Sequence, residues 1–150
     1  MNRNEMKIEF GSDPRNESFA RVVVASFMTR TNPTLEEVAD VKTAVSEAVT
    51  NSIIHGYGQK EGTIEIRAYI EERKLYIEIT DYGCGIEDVE KAMEPMFTTG
   101  KDGRSGMGFS FMEAFMDELT VESEPGKGTT VKMAKKIGAG CAAVSYTHLR

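Results

Sequence analysis

Apolar and polar residues alternate near the start of the chain, which predicts a short strand over Met6–Phe10. Apolar residues then recur at helical spacing and predict a first helix over Glu17–Arg30. A second, longer helix is expected to begin at Thr34, because Thr34 and Glu37 have the spacing of a capping box. The glycines of Gly56-Tyr57-Gly58 are expected to end it. The first part of the chain is therefore predicted to be one strand followed by two helices.

Two strands and a long glycine-rich segment come next. Strict alternation predicts the strands over Ile64–Ile70 and Leu75–Ile79. The segment Gly83–Gly108 is rich in glycine and has only one short helical piece, at Asp88–Met93. A long connection of this kind inside a compact domain is usually functional or disordered. We interpret it as a lid.

A helix and a hairpin complete the pattern. Apolar spacing predicts a helix over Phe109–Asp117, and the alternating residues on either side of Pro125-Gly126 predict a closing hairpin. The order of elements is β-α-α-β-β-lid-α-β-β, with the helices bunched between antiparallel hairpins. This order favours an α+β fold, a two-layer sandwich with a mixed, mostly antiparallel sheet, over a doubly wound parallel sheet.

The composition is that of a globular protein of one domain. Of the 150 residues, 24 are acidic and 18 basic, giving a net charge of -6. This balance argues against binding to a nucleic-acid backbone, although a local basic pocket for a phosphorylated ligand remains open. No apolar run approaches the roughly 20 residues that span a bilayer, and the start lacks a signal-peptide pattern. Cys84 and Cys141 give neither a disulfide framework nor a zinc spacing. We therefore expect a reduced, cytoplasmic protein.

The C-terminal segment does not fit this pattern. Residues Gly138–Arg150 are small and featureless at first and contain no acidic residue. We expect a folded domain over residues 1–137 and a disordered or non-native tail over 138–150. Cys141 and His148 are therefore poor candidates for chemistry.

The first candidate constellation lies on the second predicted helix. Glu47, Asn51 and His55 are spaced four apart and share a stripe, and Glu47 and Asn51 face away from the apolar stripe. A solvated helix face is the simpler interpretation. Asparagine is a poor residue for the middle of a helix, however. A carboxylate one turn from a carboxamide also suits a base beside Mg²⁺, which takes few protein ligands.

The second constellation is Asp81-Tyr82-Gly83-Cys84-Gly85, directly after a strand. An aspartate at a strand end can accept a hydrogen bond from an exocyclic amine. The two glycines allow a flat ring to approach closely and supply the backbone freedom that a hinge needs. An ordinary turn containing aspartate and glycine explains the same residues equally well.

The third and fourth constellations lie later in the chain. Arg104–Phe109 contains Gly-x-Gly at a predicted helix start, where free amides and the helix dipole favour an anion. Arg104 adds a charged fork for a terminal phosphate; a flexible loop before a helix is the alternative. Gly128-Thr129-Thr130 on its own is only a strand that follows a turn. The chain lacks the P-loop, dinucleotide-binding and protein-kinase signatures.

Each of these motifs is weak alone, but their order resembles that of the Bergerat-fold (GHKL) ATPases. The similarity is closer to the anti-sigma serine kinases of spore-forming bacteria, of the sporulation anti-sigma-F type. It spans about Met1 to Lys136. The segments that carry it are Asn16–Arg21, Val45–Asn51, Ile54–Tyr57, Phe97–Thr99 and Arg104–Phe109.

The resemblance implies a site for ATP or ADP with Mg²⁺. By this analogy Asp81 accepts from the adenine amine with help from Thr130 through water, and Asn51 binds Mg²⁺. Glu47 orients or deprotonates the attacking hydroxyl, and Arg104 reaches the γ-phosphate. The other implied nucleotide-binding residues are Gly83 and Gly85 at the base and Thr98, Thr99, Ser105, Gly106, Met107, Gly108 and Phe109 near the phosphates.

The resemblance also implies partners. Members of this group phosphorylate a serine on an anti-anti-sigma protein and separately hold a sigma factor, here of the sigma-F type, inactive. They act as cytoplasmic homodimers, with no direct contact to nucleic acid or membrane. Arg21 is a cation on an otherwise apolar helix; the resemblance suggests that it contacts a partner, whereas packing with an exposed head group is the simpler interpretation.

The chain departs from the group's pattern at Tyr82, in the lid segment and in the tail, which has no counterpart in the group. Tyr82 stands where an acidic residue is common, and the lid segment Gly100–Gly103 is slightly short. Three alternatives remain open. They are an ATP-gated sequestering module without transfer activity, the catalytic domain of a histidine kinase, and a stress-response relative of the same serine kinases.

Overall fold

The structure is a computed structural model that describes residues 4–93 and 104–138, with the backbone alone for residues 104–108. Its strands are β1 (Asn4–Gly11), β2 (Thr63–Glu71), β3 (Lys74–Asp81), β4 (Glu118–Glu124) and β5 (Gly128–Lys136). Its helices are α1 (Asn16–Met28), α2 (Leu35–Asn51), α3 (Val89–Ala92) and α4 (Arg104–Phe115). A 3₁₀ turn over Thr29–Thr31 follows α1, and a π-helical turn over Ser52–Tyr57 follows α2. Among these described helices, none is long and apolar enough to cross a bilayer.

The five strands form one sheet in the order β1-β2-β3-β5-β4. All four pairings between them are antiparallel. The predicted α+β architecture is confirmed, but the expectation of a mixed sheet is wrong for the described strands. Each connection either is a tight turn or carries helices, and none returns a strand parallel to its neighbour.

Strict alternation along β3 decides which of its side chains enter the core. Leu75, Ile77 and Ile79 of β3 are fully buried beneath the helices. Asp81 occupies the next position of the same face and is only 4% exposed. The sheet therefore places a carboxylate where its own pattern would otherwise put another apolar residue.

The helical layer is centred on α2, against which both α1 and α4 pack. The predicted capping box is present: Glu37 N–H donates to Thr34 Oγ1 at 3.0 Å, and Thr34 N–H donates to Glu37 Oε1 at 2.9 Å. The apolar stripe of α2 then packs on the sheet, its buried residues being Val41, Ala44, Val45, Ala48 and Val49. The predicted helix end at residues 56–58 is correct, but the last turn is π-helical.

Two boundaries differ from the prediction. Helix α4 includes Arg104, five residues before the expected Phe109, although the glycines there have poor intrinsic helix propensity. At the C-terminal end, Gly138 had been assigned to the tail, yet it is buried and its N–H donates to the Glu37 carboxylate at 3.1 and 3.2 Å. The rest of the predicted tail, 139–150, lies outside the described residues.

Candidate nucleotide-binding site

A cavity of about 120 Å³ lies between the C-terminal end of α2, the ends of β3 and β5, and helices α3 and α4. Its wall is mostly apolar with a few polar groups, which is the usual make-up of a small-molecule site. The lining residues are Ala48, Asn51, Ser52, His55, Gly56, Asp81, Gly85, Ile86, Ala92, Phe109, Thr129 and Val131. The structure therefore brings four residues of the sequence-based site together here: Asn51, Asp81, Gly85 and Phe109.

Asp81 is the buried charged group of this cavity. Its Oδ1 accepts from Gly83 N–H at 3.0 Å, and its Oδ2 accepts from Ser52 Oγ at 2.9 Å. Burial raises the pKa of the Asp81 carboxyl above its ordinary value, while hydrogen bonds from Gly83, Ser52 and Thr129 act in the opposite direction. A carboxylate held in this way has lone pairs left that can accept from a ligand.

The glycines of the second motif serve close backbone contacts. Cys84 N–H donates to Gly56 O at 2.8 Å, so the segment after β3 lies directly against the π-helical turn. A Cβ on Gly83 would overlap the carbonyl of Gly56. Gly85 has a φ of +79°, and a Cβ there would overlap the carbonyl of Glu124. The close approach seen at Gly83 is that of the protein's own backbone, and the approach of a flat ring stays a prediction.

Asn51 and Glu47 differ in their relation to the cavity. Asn51 lines it, and its Nδ2 is buried without a hydrogen-bond partner in the described structure. Glu47, one helical turn earlier, is partly buried and is not among the described residues that line the cavity. The unsatisfied amide of Asn51 fits a residue that receives its partner from a bound ligand.

No group of three or more His, Cys, Asp or Glu side chains that could hold a metal ion occurs in the part of the chain that the structure describes. The donor at the cavity wall is instead the carboxamide of Asn51. A single amide oxygen is compatible with Mg²⁺, which keeps several waters and takes its other ligands from substrate phosphates. The residues present therefore fit an ion that arrives with a nucleotide.

Thr129, rather than Thr130, belongs to the site. Thr129 is 9% exposed and lines the cavity, and it pairs with Asp81 in the register of β3 and β5. Thr130 points to the opposite face of the sheet, where its Oγ1 lies 3.1 Å from Thr80 Oγ1. Thr130, which the resemblance implies helps Asp81 through water, is absent from the described lining of this cavity, and Thr129 occupies the position beside Asp81. In a strand, a shift of one residue exchanges the two faces.

The Gly-x-Gly segment lies inside α4 rather than before it. Phe109 is 5% exposed and lines the cavity with its side chain. In a helix that begins at Arg104, the amides of Ser105 and Gly106 belong to the first turn, which lacks intrahelical acceptors. The amides of Gly108 and Phe109 donate to the preceding turn instead.

Several predicted site residues are not tested by this geometry. The side chains of Arg104, Ser105 and Met107 are not described. Thr98 and Thr99 lie outside the described residues.

Arg21 lies on α1 and is absent from the described cavity lining. Its Nε is 2.8 Å from Oε2 of Glu17, one helical turn earlier, and its side chain is 38% exposed. Phe19 and Val22 on the same helix are exposed. Arg21 is therefore an ion-paired surface residue, and its contact with a partner remains a prediction.

The sequence motifs do not assign Ser52, Gly56 or Thr129 to the site. Ser52 continues the apolar stripe that includes Val41, Val45 and Val49, and a serine in line with valines is the available signal. The alternation of Val131 and Met133 would have placed Thr129 on the buried face of β5. No sequence pattern identifies Gly56 as part of the site, because its role depends on how closely Asp81 approaches it. A Cβ at Gly56 would lie 3.0 Å from the Asp81 carboxyl atoms.

Comparison with known families agrees with this fold. Residues 10–135 match the family described as "Histidine kinase-like ATPase domain". The catalytic domain of the histidine kinase ThkA superposes with a TM-score of 0.55 at 16% identity, covering 91% of this chain and 97% of that one. The blue-light activated histidine kinase EL346 of Erythrobacter litoralis gives a TM-score of 0.55 at 21% identity, covering 73% of this chain and 33% of that one. The fold and the family match define the class: a histidine kinase-like ATPase domain.

Curated relatives give the particular family. An "Anti-sigma F factor" of Thermoanaerobacter sp. is 60% identical over 137 residues, which are 91% of this chain and 96% of that protein. Its counterpart in Caldanaerobacter subterraneus is 61% identical over 136 residues, covering 90% and 95%. That of Clostridium acetobutylicum is 59% identical over 137 residues, covering 91% and 96%. The chain belongs to the anti-sigma F factor family.

Proposed function

We propose that the cavity binds the adenine of ATP or ADP, with the Asp81 carboxylate accepting from the 6-amino group. The observation that carries this proposal is the buried Asp81 carboxylate in a mostly apolar cavity. A charged group there lowers the stability of the empty protein and is explained by a ligand that offers it a donor. Thr129, beside Asp81 on β5, takes the supporting role first given to Thr130.

The phosphates would then lie toward the start of α4. The amides of Ser105 and Gly106, in the first described turn of α4, would supply donors there, and the positive end of the helix dipole favours an anion. Arg104 would contact the γ-phosphate. Asn51 would hold Mg²⁺, and the ion would supply charge neutralisation across the phosphates.

We further propose that the protein transfers the γ-phosphate to a serine of an anti-anti-sigma protein. The serine Oγ attacks the γ-phosphorus, a new P–O bond forms, and the bond to the β-phosphate oxygen breaks to release ADP. Glu47, one turn from Asn51 on α2, would take the hydroxyl proton. Positioning and charge neutralisation account for most catalysis in such transfers.

The relatives named anti-sigma F factors support a second activity, the binding and inhibition of a sporulation sigma factor of the sigma-F type. We propose that the protein does this as a cytoplasmic homodimer, with the bound nucleotide deciding the partner. Arg21 would leave its Glu17 pair to contact that partner. The net charge of -6 favours a basic protein partner over nucleic acid.

The unit that carries these activities is proposed to be the folded domain, with residues after Gly138 dispensable. The contact of Gly138 with Glu37 supports this boundary. A chain that ends at Gly138 is expected to match the full chain in melting temperature and ATP affinity. A fall in either would place part of the tail in the functional unit.

The deciding experiment incubates the protein with γ-labelled ATP, Mg²⁺ and a candidate anti-anti-sigma protein. Label is expected on a serine of the partner, stable to acid and lost in alkali, and it is expected to be lost with Asn51→Ala. Acid-labile label would instead indicate histidine phosphorylation.

Glu47→Gln tests the transfer step alone. We expect it to retain ATP binding and to slow transfer at least a hundredfold, the usual contribution of a general base. The exposed Glu36→Gln on the same helix is the matched control and is expected to transfer normally. Undiminished transfer by Glu47→Gln would contradict the role of this carboxylate.

Two negative results have different meanings. ATP binding without transfer to any partner would favour a nucleotide-gated sequestering protein without kinase activity. A chain that does not bind ATP would contradict the assignment of the cavity itself.

A further inference from the structure

A buried hydrogen bond joins the helical layer to the sheet beneath the cavity. Ser52, the first residue of the π-helical turn, donates through Oγ to Oδ2 of Asp81 at 2.9 Å. Both residues are 4% exposed, and both line the cavity. The contact connects residues 29 positions apart and couples the position of the α2 end to that of the carboxylate.

The Asp81 side chain is held from several sides. Gly83 N–H donates to Oδ1, while Ser52 donates to Oδ2. Gly56 lies so close that a Cβ on it would be 3.0 Å from the carboxyl carbon and from both oxygens. Rotation of the carboxylate would therefore break hydrogen bonds, and Ser52 is the member of this set that donates through its side chain.

We propose that Ser52 is a positioning residue that sets the base preference of the nucleotide site. Its hydroxyl holds Asp81 as an oriented hydrogen-bond acceptor, so a bound purine must present a donor at position 6. Adenine does so with its amino group, and hypoxanthine, with an oxygen there, does not. This inference rests on the proposed function, because it concerns how the same cavity selects its ligand.

The physical reason is the effect of the hydroxyl on a buried carboxylate. Burial raises the pKa of Asp81, and the hydrogen bond from Ser52 lowers it. Without the hydroxyl, the carboxyl is freer to rotate and accepts a proton at higher pH. A protonated carboxyl can donate to a 6-oxo group, so the discrimination between the two bases narrows.

The surroundings of Asp81 contain few other charged groups. The π-helical turn contributes His55 to the cavity wall, and α3 and α4 contribute the uncharged Ala92 and Phe109. A neighbouring groove that shares Asp81 and Thr129 is lined on the β4–β5 side by Glu122, Glu124 and Lys127. These groups are the same in a Ser52 variant, so a change in base preference can be assigned to the loss of the Ser52 hydroxyl.

The test compares the dissociation constants of ATP and inosine triphosphate, measured by calorimetry from pH 5.5 to 8. The variants are Ser52→Ala, which removes the hydroxyl, and Ser52→Thr, which retains it. The matched control is Thr31→Ala, because Thr31 is also buried and its Oγ1 donates to Met28 O at 2.7 Å, but it does not belong to the described cavity lining. Thermal denaturation of each variant confirms that it is folded.

Ser52→Ala is expected to narrow the preference for ATP over inosine triphosphate about fivefold, the factor that corresponds to one ordinary hydrogen bond. The preference for ATP over inosine triphosphate is expected to fall at acid pH, where Asp81 becomes protonated. In Ser52→Ala this fall is expected to occur at higher pH than in the unmodified protein. Thr31→Ala and Ser52→Thr are expected to keep the preference of the unmodified protein. A purely structural defect would weaken both nucleotides equally and leave their ratio unchanged.

Asp81→Asn separates the failure of this inference from that of the proposed function. Its amide can donate to a 6-oxo group, so the ATP preference should collapse. Suppose that Asp81→Asn loses the preference for ATP while Ser52→Ala keeps the ATP-to-inosine-triphosphate ratio and pH profile of the unmodified protein. The role of Ser52 is then overturned, and the proposed adenine site at Asp81 is retained. Equal narrowing in Ser52→Ala and Ser52→Thr would also overturn the role of Ser52, since the hydroxyl would not be the cause. Failure of the unmodified protein to bind ATP would overturn the proposed function, and this inference with it.

Discussion

Replacement of Gly83 by alanine tests the contact between the segment after β3 and the turn after α2. Gly83 is not in the left-handed region of backbone conformation, so the substitution adds no backbone strain of that kind. The added Cβ overlaps the carbonyl of Gly56, and the neighbouring atoms are backbone that cannot rotate away. One of the two segments must therefore move.

The magnitude follows from what that movement disturbs. Overpacking of a well-packed site costs about 1–3 kcal/mol. The displacement also lengthens the Cys84 N–Gly56 O hydrogen bond of 2.8 Å and the Gly83 N–Asp81 Oδ1 hydrogen bond of 3.0 Å. Each ordinary hydrogen bond contributes about 1 kcal/mol, and a bond to a charged group contributes more. We expect a loss of about 3 kcal/mol, or a melting temperature lower by about 10 °C.

The assay is urea and thermal denaturation of Gly83→Ala beside Gly11→Ala. Gly11 lies in β1, and the nearest neighbour of a Cβ there would be Gly62 O at 4.0 Å. The control should stay within about 0.5 kcal/mol of the unmodified protein. Gly83→Ala should also bind ATP more weakly, because Asp81 loses its alignment. A Gly83→Ala variant as stable as Gly11→Ala would refute the reasoning.

Three further predictions concern the site and the scaffold. Thr129→Val should weaken ATP binding about fivefold, the factor that corresponds to one ordinary hydrogen bond, whereas Thr130→Val should leave ATP binding unchanged. Equal effects of the two substitutions in calorimetry would contradict the assignment of Thr129 and Thr130 to opposite faces of β5. The pKa of Asp81 in the folded protein is raised above its ordinary value of 3.8. At a pH between these two values, the folded state therefore keeps a proton on Asp81 that the unfolded state has lost. The ligand-free protein should therefore lose stability, relative to Asp81→Asn, as the pH rises through this window; a difference that does not vary with pH in urea denaturation would be evidence against it. Thr34→Ala removes the capping box and should cost about 1 kcal/mol with unchanged ATP affinity, and a thermal shift below 1 °C would show that the cap contributes little.

The parts of the fold that depend on local patterns could be predicted from the sequence. Alternation over Leu75–Ile79 located β3, and the spacing of Thr34 and Glu37 located the start of α2, because both signals lie within one element. The same alternation, continued by two residues, places Asp81 on the buried face. Continued backwards from Val131, it places Thr129 there too, whereas the motif alone does not distinguish the face of Thr129 from that of Thr130.

The floor of the site depends on contacts that no local pattern contains. Ser52 is hydrogen-bonded to Asp81, which lies 29 residues later in the chain, and Gly83 packs against Gly56 between the same two segments. The π-helical form of the last turn of α2 is a tertiary adjustment that brings Gly56 O to Cys84 N. The early start of α4 could not be predicted locally either, since intrinsic propensity disfavours helix at Gly106 and Gly108.

The buried carboxylate gives the strongest physical argument for where the ligand binds. At position 81 an apolar residue would continue the buried face of β3, and the core would be expected to gain stability from it. The chain instead keeps an aspartate there and surrounds it with the Ser52 hydroxyl and the Gly83 and Thr129 amides, which compensate only part of its lost hydration, since its pKa remains raised. The remaining deficit can be met by a ligand that donates to the carboxylate, and such a ligand stabilises the folded state in proportion to how well it donates. Under the proposed function, the residue that most clearly breaks the pattern of the sheet would therefore also link the stability of the fold to the bound base.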